Sequence, residues 1–220
     1  MTAFGYLYQT MFALIGAPLT DAHAVPETLL VETERRLGVP IPTALRDYVA
    51  VAGNETRVNR AFERFLPLKA WKLQGDQLIF AEECQGVVLW SVPVGEGNDP
   101  HVNLLTPNFA DSHNSQQRCS VFLQCLCVYQ CTSGEVFPYF AHVEFDRVDD
   151  VPDLPGVRMI ADFDGLRTYA GPDLAISVLY TEAMASFSIT SPRAGRIEQF
   201  AGRSGLPVFG ASGSLEAREW

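Results

Sequence analysis

The strongest periodic signal is helical and lies near the start of the chain. In PETLLVETERRLG (26–38), Leu29, Leu30, Thr33 and Leu37 make one stripe, with Pro26 at the first helical position, acids in the first turns, Arg35 and Arg36 in the last, and Gly38 as the stop. VPIP then reads as an extended elbow, because Pro40 and Pro42 bias the residues before them away from helix. TALRDYVAVAG predicts a second helix, with Leu45, Tyr48, Val49 and Ala52 at i, i+3, i+4 and i+7 and Gly53 closing it. The apolar and aromatic run 4–16 predicts a short helix before this pair.

The period then shortens. Phe65, Leu66 and Leu68 gather around Pro67, and Trp71 and Leu73 alternate with lysines as on a half-buried strand. Leu78–Ala81 and Val87–Trp90 predict two short strands, apolar on both faces, joined by Glu82-Glu83-Cys84-Gln85-Gly86. Residues 93–118, with Gly95, Gly97, Pro100 and Pro107, read as loop. CSVFLQCLCVYQC (119–131) is too long and too uniformly apolar for a surface helix and predicts a buried one, ended by Ser133-Gly134.

After an acidic loop, VRMIADF reads as a strand, Asp164-Gly165 as a hairpin turn into LRTYA, and LAISVLYT and MASFSITS as two more strands. SPRAGRIEQFAGRSG closes with a helix, Ser191 as cap and Pro192 at its first position. Hairpin runs rather than strict strand–helix alternation argue an α+β fold, a mostly antiparallel central sheet of about six strands packed with about four helices. The expected organisation is an N-terminal extension over 1–25, a domain over 26–206 and a loose Gly/Ser-rich tail over 207–220.

Charge narrows the function classes. The chain of 220 residues carries a formal charge of −10 and a pI near 4.8, which disfavours direct nucleic-acid binding through phosphates. Residues 135–164 hold Glu135, Glu144, Asp146, Asp149, Asp150, Asp153, Asp162 and Asp164 against only Arg147 and Arg158. Two readings of that stretch stand side by side: a solvated face, or a docking surface for something cationic. Five cysteines, an odd number without a CxxC pair, suggest reduced thiols in a cytoplasmic protein. Ala22-His23-Ala24 has the form of a leader cleavage site, but no Lys or Arg precedes it and the apolar core is short, so a packed N-terminal segment is expected. No segment is long enough to span a bilayer.

Candidate chemistry is sparse. His101, His113 and His142 lie far apart, and Cys127 and Cys131 have no second pair at zinc spacing, so no metal site is expected. There is no G-x-S-x-G, no P-loop and no G-x-G-x-x-G, so neither an enzyme nor a cofactor is expected. Adjacent Glu82 and Glu83 would point to opposite faces of a strand, and Asp162 and Asp164 lead into a Gly turn; all four read as hairpin acids.

The order of pieces is more informative than any one of them. LGVPIPTALRDYVAVAGN is followed by RFLPLKAWKLQGDQLIFAEECQGVVLWSV, then NDPHV, then FLQCLCVYQCTSGEVFPY. This order resembles the SUKH superfamily of bacterial immunity proteins. The resemblance rests on Leu37-Gly38, Pro42, Gly53-Asn54, Leu66-Pro67, Phe80, Glu82, Glu83, Gln85, Gly86, Trp90, Asp99 and Pro100, and covers roughly residues 26–135. Cys84 stands where the family pattern has Asn, and Asn98 where it has Asp. The resemblance implies a non-catalytic role: binding and neutralising a cognate, basic protein toxin in a 1:1 complex, without cofactor, nucleic acid or membrane. The toxin class implied is a nucleic-acid-targeting effector such as a nuclease or deaminase. Glu82, Glu83, Gln85, Asn98, Asp99, Glu144, Asp146, Asp149, Asp150 and Asp153 are the candidate toxin-binding positions. The alternative is a regulatory or scaffold module of the same fold that binds an endogenous partner.

Overall fold

The structure, a computed structural model, describes residues 2–106, 112–134 and 136–207. Glu135, and residues 208–220 of the stretch read as a tail, lie outside the described residues. The described chain is α+β and its described residues form two compact units, one within 2–10 and 19–124, the other within 11–18 and 125–207. The division falls inside two helices, α1 (Ala3–Leu14) and α5 (Cys119–Ser133).

In the first unit the helix pair forms as its periodicity predicts, as α2 (Glu27–Leu37) and α3 (Thr43–Ala52). Gly38 ends α2 in the left-handed region at φ 74°, which glycine enters without Cβ strain. The Pro elbow is clamped by Glu34, whose Oε1 accepts from the Ile41 amide at 3.1 Å and from Arg46 Nε at 3.2 Å. Arg46 also pairs with Glu27, holding that carboxyl below its ordinary range. Leu29 leaves the expected inner stripe: it is 47% exposed, while Leu30 and Thr33 are buried. One turn of helix, α4 (Thr56–Asn59), follows.

The six strands of this unit are β1 (Arg64–Phe65), β2 (Lys72–Gln74), β3 (Gln77–Glu82), β4 (Leu89–Pro93), β5 (His101–Leu105) and β6 (Ser112–Arg118). They run in the order β1-β3-β4-β5-β6, with β2 also on β3, all antiparallel. Strands β5 and β6 correct the expectation of a loop over 93–118. Strand β6 is polar throughout and carries no hydrophobic alternation; among 114–118 only Ser115 is buried, its hydroxyl donating to the Val102 carbonyl at 2.8 Å. Its place in the sheet is set by ladder bonds to β5, which leave no mark on sequence. A run of aromatic rings fills the core. Tyr8 meets Tyr48 at 5.1 Å between centroids, Tyr48 meets Phe65 at 5.3 Å, and Phe80 and Trp90 both meet Phe122 on α5, at 6.1 and 5.9 Å.

The second unit holds a five-stranded antiparallel sheet, β7-β11-β10-β9-β8, from β7 (Tyr139–Phe145), β8 (Arg158–Phe163), β9 (Leu166–Gly171), β10 (Leu174–Tyr180) and β11 (Ala185–Ser191). Strand β7 replaces the first part of the expected acidic loop. It is half-buried: Ala141 is buried, whereas His142 and Glu144 are exposed on the alternate positions. The last helix, α6 (Arg196–Ser204), begins four residues after Pro192. Ser191 stays in β11, and its hydroxyl accepts from the Arg193 amide at 3.1 Å, making a turn instead of a helix cap. Ile197, Phe200 and Ala201 of α6 pack on Ile176, Phe187 and Ile189 of the sheet.

Helix α5 contains no charged residue and is buried around nearly its whole circumference, as its composition predicts. All five cysteines are free thiols; the four on α5 are buried. Burial pushes Cys125 up to about 12 and Cys119 well above the ordinary thiol range, which keeps both protonated and inert. Among the described residues no helix is long and apolar enough to cross a membrane.

Candidate functional site

Glu82 to Val88 form the reversal between β3 and β4, and each acid there has work within the turn. Glu83 N donates to the Val88 carbonyl at 2.9 Å and Gly86 N to the Glu83 carbonyl at 2.8 Å. Gly86 sits at φ 74°, a backbone state costly for other residues. The Glu83 Oε2 accepts from Gln85 N at 2.9 Å and Val87 N at 3.3 Å, so one carboxylate holds two amides that the tight bend leaves without a ladder partner. Glu82 pairs with Arg64, Nη2 to Oε1 3.1 Å, and the same guanidinium nitrogen donates to the Cys84 carbonyl at 3.2 Å. Gln85 is exposed and engages the turn through its backbone.

A third acid joins this turn that sequence reasoning did not single out. Glu63 is only 5% exposed, and its Oε2 accepts from the Cys84 amide at 2.7 Å. Burial pushes its carboxyl up, while the Cys84 amide and Arg64 pull it back. Glu63, Glu83 and Cys84 bring three potential ligand atoms within 4.8 Å of one another. Their geometry is that of a braced turn: the two carboxylates accept three backbone amides, and the Cys84 thiol donates to Glu83 Oε1 at 3.3 Å. Burial also raises that thiol, whereas a metal ligand needs the thiolate.

Asn98 and Asp99 lie beyond the other end of β4. Since Glu82 is opposite Leu89 and Gln77 opposite Pro93, the two polar clusters are separated by the length of that strand, roughly 15 Å at about 3.3 Å per residue. Asn98 serves the start of α3: its carbonyl accepts from Ala44 N at 2.8 Å and its Oδ1 from the Thr43 hydroxyl at 2.9 Å. Asp99 serves the start of α5, accepting from Ser120 N at 2.8 Å and the Ser120 hydroxyl at 2.7 Å. Neither job is legible from NDP alone, because both partners are distant in sequence.

The remaining candidates belong to the second unit and look different. Glu144, Asp146, Asp149, Asp150 and Asp153 are all exposed: Glu144 near the end of β7, Asp146 just after it, Asp149 and Asp150 on the single turn of 3-10 helix (Val148–Asp150), and Asp153 beyond that turn. Two loose ion pairs touch them: Asp150 with Arg147 at 3.8 Å, and Glu144 with His142 at 3.9 Å, the latter only when the imidazole is protonated. Asp162 contrasts with them. It accepts from Arg167 Nε at 2.7 Å and from the Tyr180 hydroxyl at 2.5 Å, a clasp across the sheet that raises the Tyr180 phenol. The sequence-derived candidates thus divide into turn and cap residues engaged in the fold, and a run of acids from Glu144 to Asp153 that is available to solvent.

Two further buried acids escaped sequence reasoning. Glu55, 2% exposed, is held between His23 Nε2 at 2.8 Å and Arg57 Nε at 3.0 Å. Asp47, 6% exposed on α3, has an Oδ2 with no hydrogen-bond partner among the described residues. Nothing in TALRDYVAVAG distinguishes Asp47 from an ordinary exposed helix acid. Comparison with family models, curated proteins and solved structures finds no match.

Proposed function

We propose that this chain is a non-catalytic inhibitor, a cytoplasmic immunity protein that binds one basic protein toxin 1:1 and occludes its active site or substrate cleft. The toxin class it fits is a nucleic-acid-targeting effector, a nuclease or deaminase, whose cleft must itself be cationic to hold phosphate. The observation that carries the reading is the exposed run Glu144, Asp146, Asp149, Asp150 and Asp153, which among the described residues has only two loose ion pairs to neutralise it. Such a run raises the encounter rate with a cationic cleft and suppresses wrong partners. Two things support it further. The chain carries −10 overall, and the helix–elbow–helix, strand pair and buried helix occur in the order that the SUKH resemblance implies.

The test is co-expression with the product of the neighbouring gene. Toxicity of that product alone, relieved by this chain with co-purification at 1:1, is the expected outcome. A harmless neighbour, or rescue without a complex, would favour the regulatory or scaffold module.

A further inference from the structure

A sheet ends in strands whose outer amides and carbonyls have no ladder, and such an edge invites a further strand unless it is short, bulged or guarded by Pro or Lys. The edges of this fold differ in that respect. In the first unit β1 and β2 are two and three residues long, and β6 is bulged, with Gln116 at φ 58° where its pairing with β5 shifts register. In the second unit β8 is bulged between Met159 and Ala161. Strand β7, the opposite edge of that sheet, has none of these devices. It pairs with β11 in unbroken register from Tyr139 opposite Ser191 to Phe145 opposite Ala185, and its sequence YFAHVEF holds no Pro, Lys or Arg.

The side chains of β7 are self-complementary. Tyr139, Ala141, Val143 and Phe145 join the apolar cluster that includes Ile197 and Phe200, while His142 and Glu144 are exposed on the other face. The Ser188 hydroxyl stands 3.2 Å from His142 Nδ1, which leaves Nε2 for a carboxylate. Antiparallel pairing of two β7 strands about a two-fold axis at Val143 sets each His142 opposite Glu144 of the second copy and each Ala141 opposite Phe145 of the second copy. Every opposed pair then shares a face, and no like charges stand opposite. The adjacent registers that keep faces matched do worse: centring on Glu144 opposes two carboxylates, and centring on His142 opposes two imidazoles.

We infer that this chain pairs with a second copy of itself through β7, continuing the five-stranded sheet across a two-fold axis. The two His142 rings and the two Glu144 carboxylates then alternate, each imidazole between its own Glu144, at 3.9 Å, and that of the second copy, at a cross-strand Cβ spacing of about 5 Å. On the other face Val143 meets Val143 and Ala141 meets Phe145, so the apolar core continues across the axis. The antiparallel direction also separates the charge of two chains of −10. It sets the two Asp146 residues roughly 20 Å apart, at about 3.4 Å per residue, beyond the screening length of about 8 Å. Asp146, Asp149, Asp150 and Asp153 lie outside the paired segment at its two ends, and a toxin at each end keeps the 1:1 ratio.

The test is sedimentation equilibrium of the full chain alone, from about 1 to about 300 μM. The mass is expected to rise from 24.3 kDa toward twice that value, with hydrogen exchange slowing at the amides of Tyr139–Phe145 and not at those of β8. Glu144→Arg and His142→Asp each remove the opposed pair and weaken association about tenfold or more. Both positions are exposed, so far-UV circular dichroism stays that of the native chain. An equimolar mixture of the two variants recovers the native affinity, because His142 of one then faces Glu144 of the other and the new arginine faces the new aspartate. A monomer throughout, which leaves the edge open to a strand of another protein, overturns the inference. So do single variants that associate as the native chain does, or a mixture no tighter than either variant alone. No toxin is present, so none of these outcomes bears on the inhibitory reading.

Discussion

Asp99 places both carboxylate oxygens on Ser120, Oδ1 on its amide at 2.8 Å and Oδ2 on its hydroxyl at 2.7 Å, from a position 21 residues away. The first amides of a helix have no intrahelical acceptor, and a carboxylate there also meets the positive end of the dipole. Asp99 therefore starts α5, the helix on which the first unit's Phe122 contacts are built. Asp99→Ala should cost about 1 kcal/mol of stability, and Asp99→Asn less, since the amide oxygen can still accept. Urea unfolding of both variants checks this. Equal losses for the two would mean that charge, not acceptance, matters at that position.

The turn after β3 makes a related prediction. Glu83 satisfies the amides of Gln85 and Val87 through one oxygen. Glu83→Ala should cost about 1 kcal/mol, since the two exposed amides exchange the carboxylate for water, and Gly86→Ala about 1 kcal/mol by forcing a Cβ into positive φ. If Glu83→Ala is as stable as the native chain yet loses binding to a partner, the acid is a contact residue and the turn does not depend on it.

For the exposed acids the expected effect is on association. Reversing Glu144, Asp146, Asp149 and Asp150 together to Lys should weaken binding of the co-purifying toxin about tenfold or more at low salt, mainly in on-rate, with a smaller effect near 1 M salt, where the screening length is about 3 Å. Folding should be little changed, because these side chains are exposed and loosely paired. Unaltered affinity in surface plasmon resonance at both salt concentrations would remove the electrostatic basis of the inhibitory reading.

Glu63 makes stability pH-dependent in a defined direction. Burial raises its carboxyl in the folded chain, so the fold prefers the protonated form. Its favourable contribution is complete below the ordinary glutamate range and fades as pH rises through the higher folded value. Glu63→Gln keeps an acceptor for the Cys84 amide and removes the titration. Its stability relative to the native chain should grow from about pH 4 to about pH 8, read as urea midpoints at closely spaced pH. Parallel profiles would show that Arg64 and the Cys84 amide fully offset the burial.

The amino-acid order by itself determined what is local. The α2–elbow–α3 unit follows from apolar spacing, two prolines and Gly38, and the buried α5 from thirteen residues, 119–131, without a charge. The β8–β9 and β10–β11 hairpins follow from alternation and, for the first, from Asp164-Gly165. Tertiary structure alone decided the polar β6, the strand β7 within an acidic stretch, and the later start of α6, because ladder bonds and turn chemistry do not depend on a hydrophobic period. It also decided what each acid does. Glu82 and Glu83 read as turn acids in sequence but give no sign of the guanidinium and amides they engage, Asp99 gives none of the helix start it holds, and Glu144 and Asp149 face water. A carboxylate's role depends on which donors stand within about 3 Å of it. For Asp99 and Glu63 those donors come from 21 residues away, a distance only folding closes.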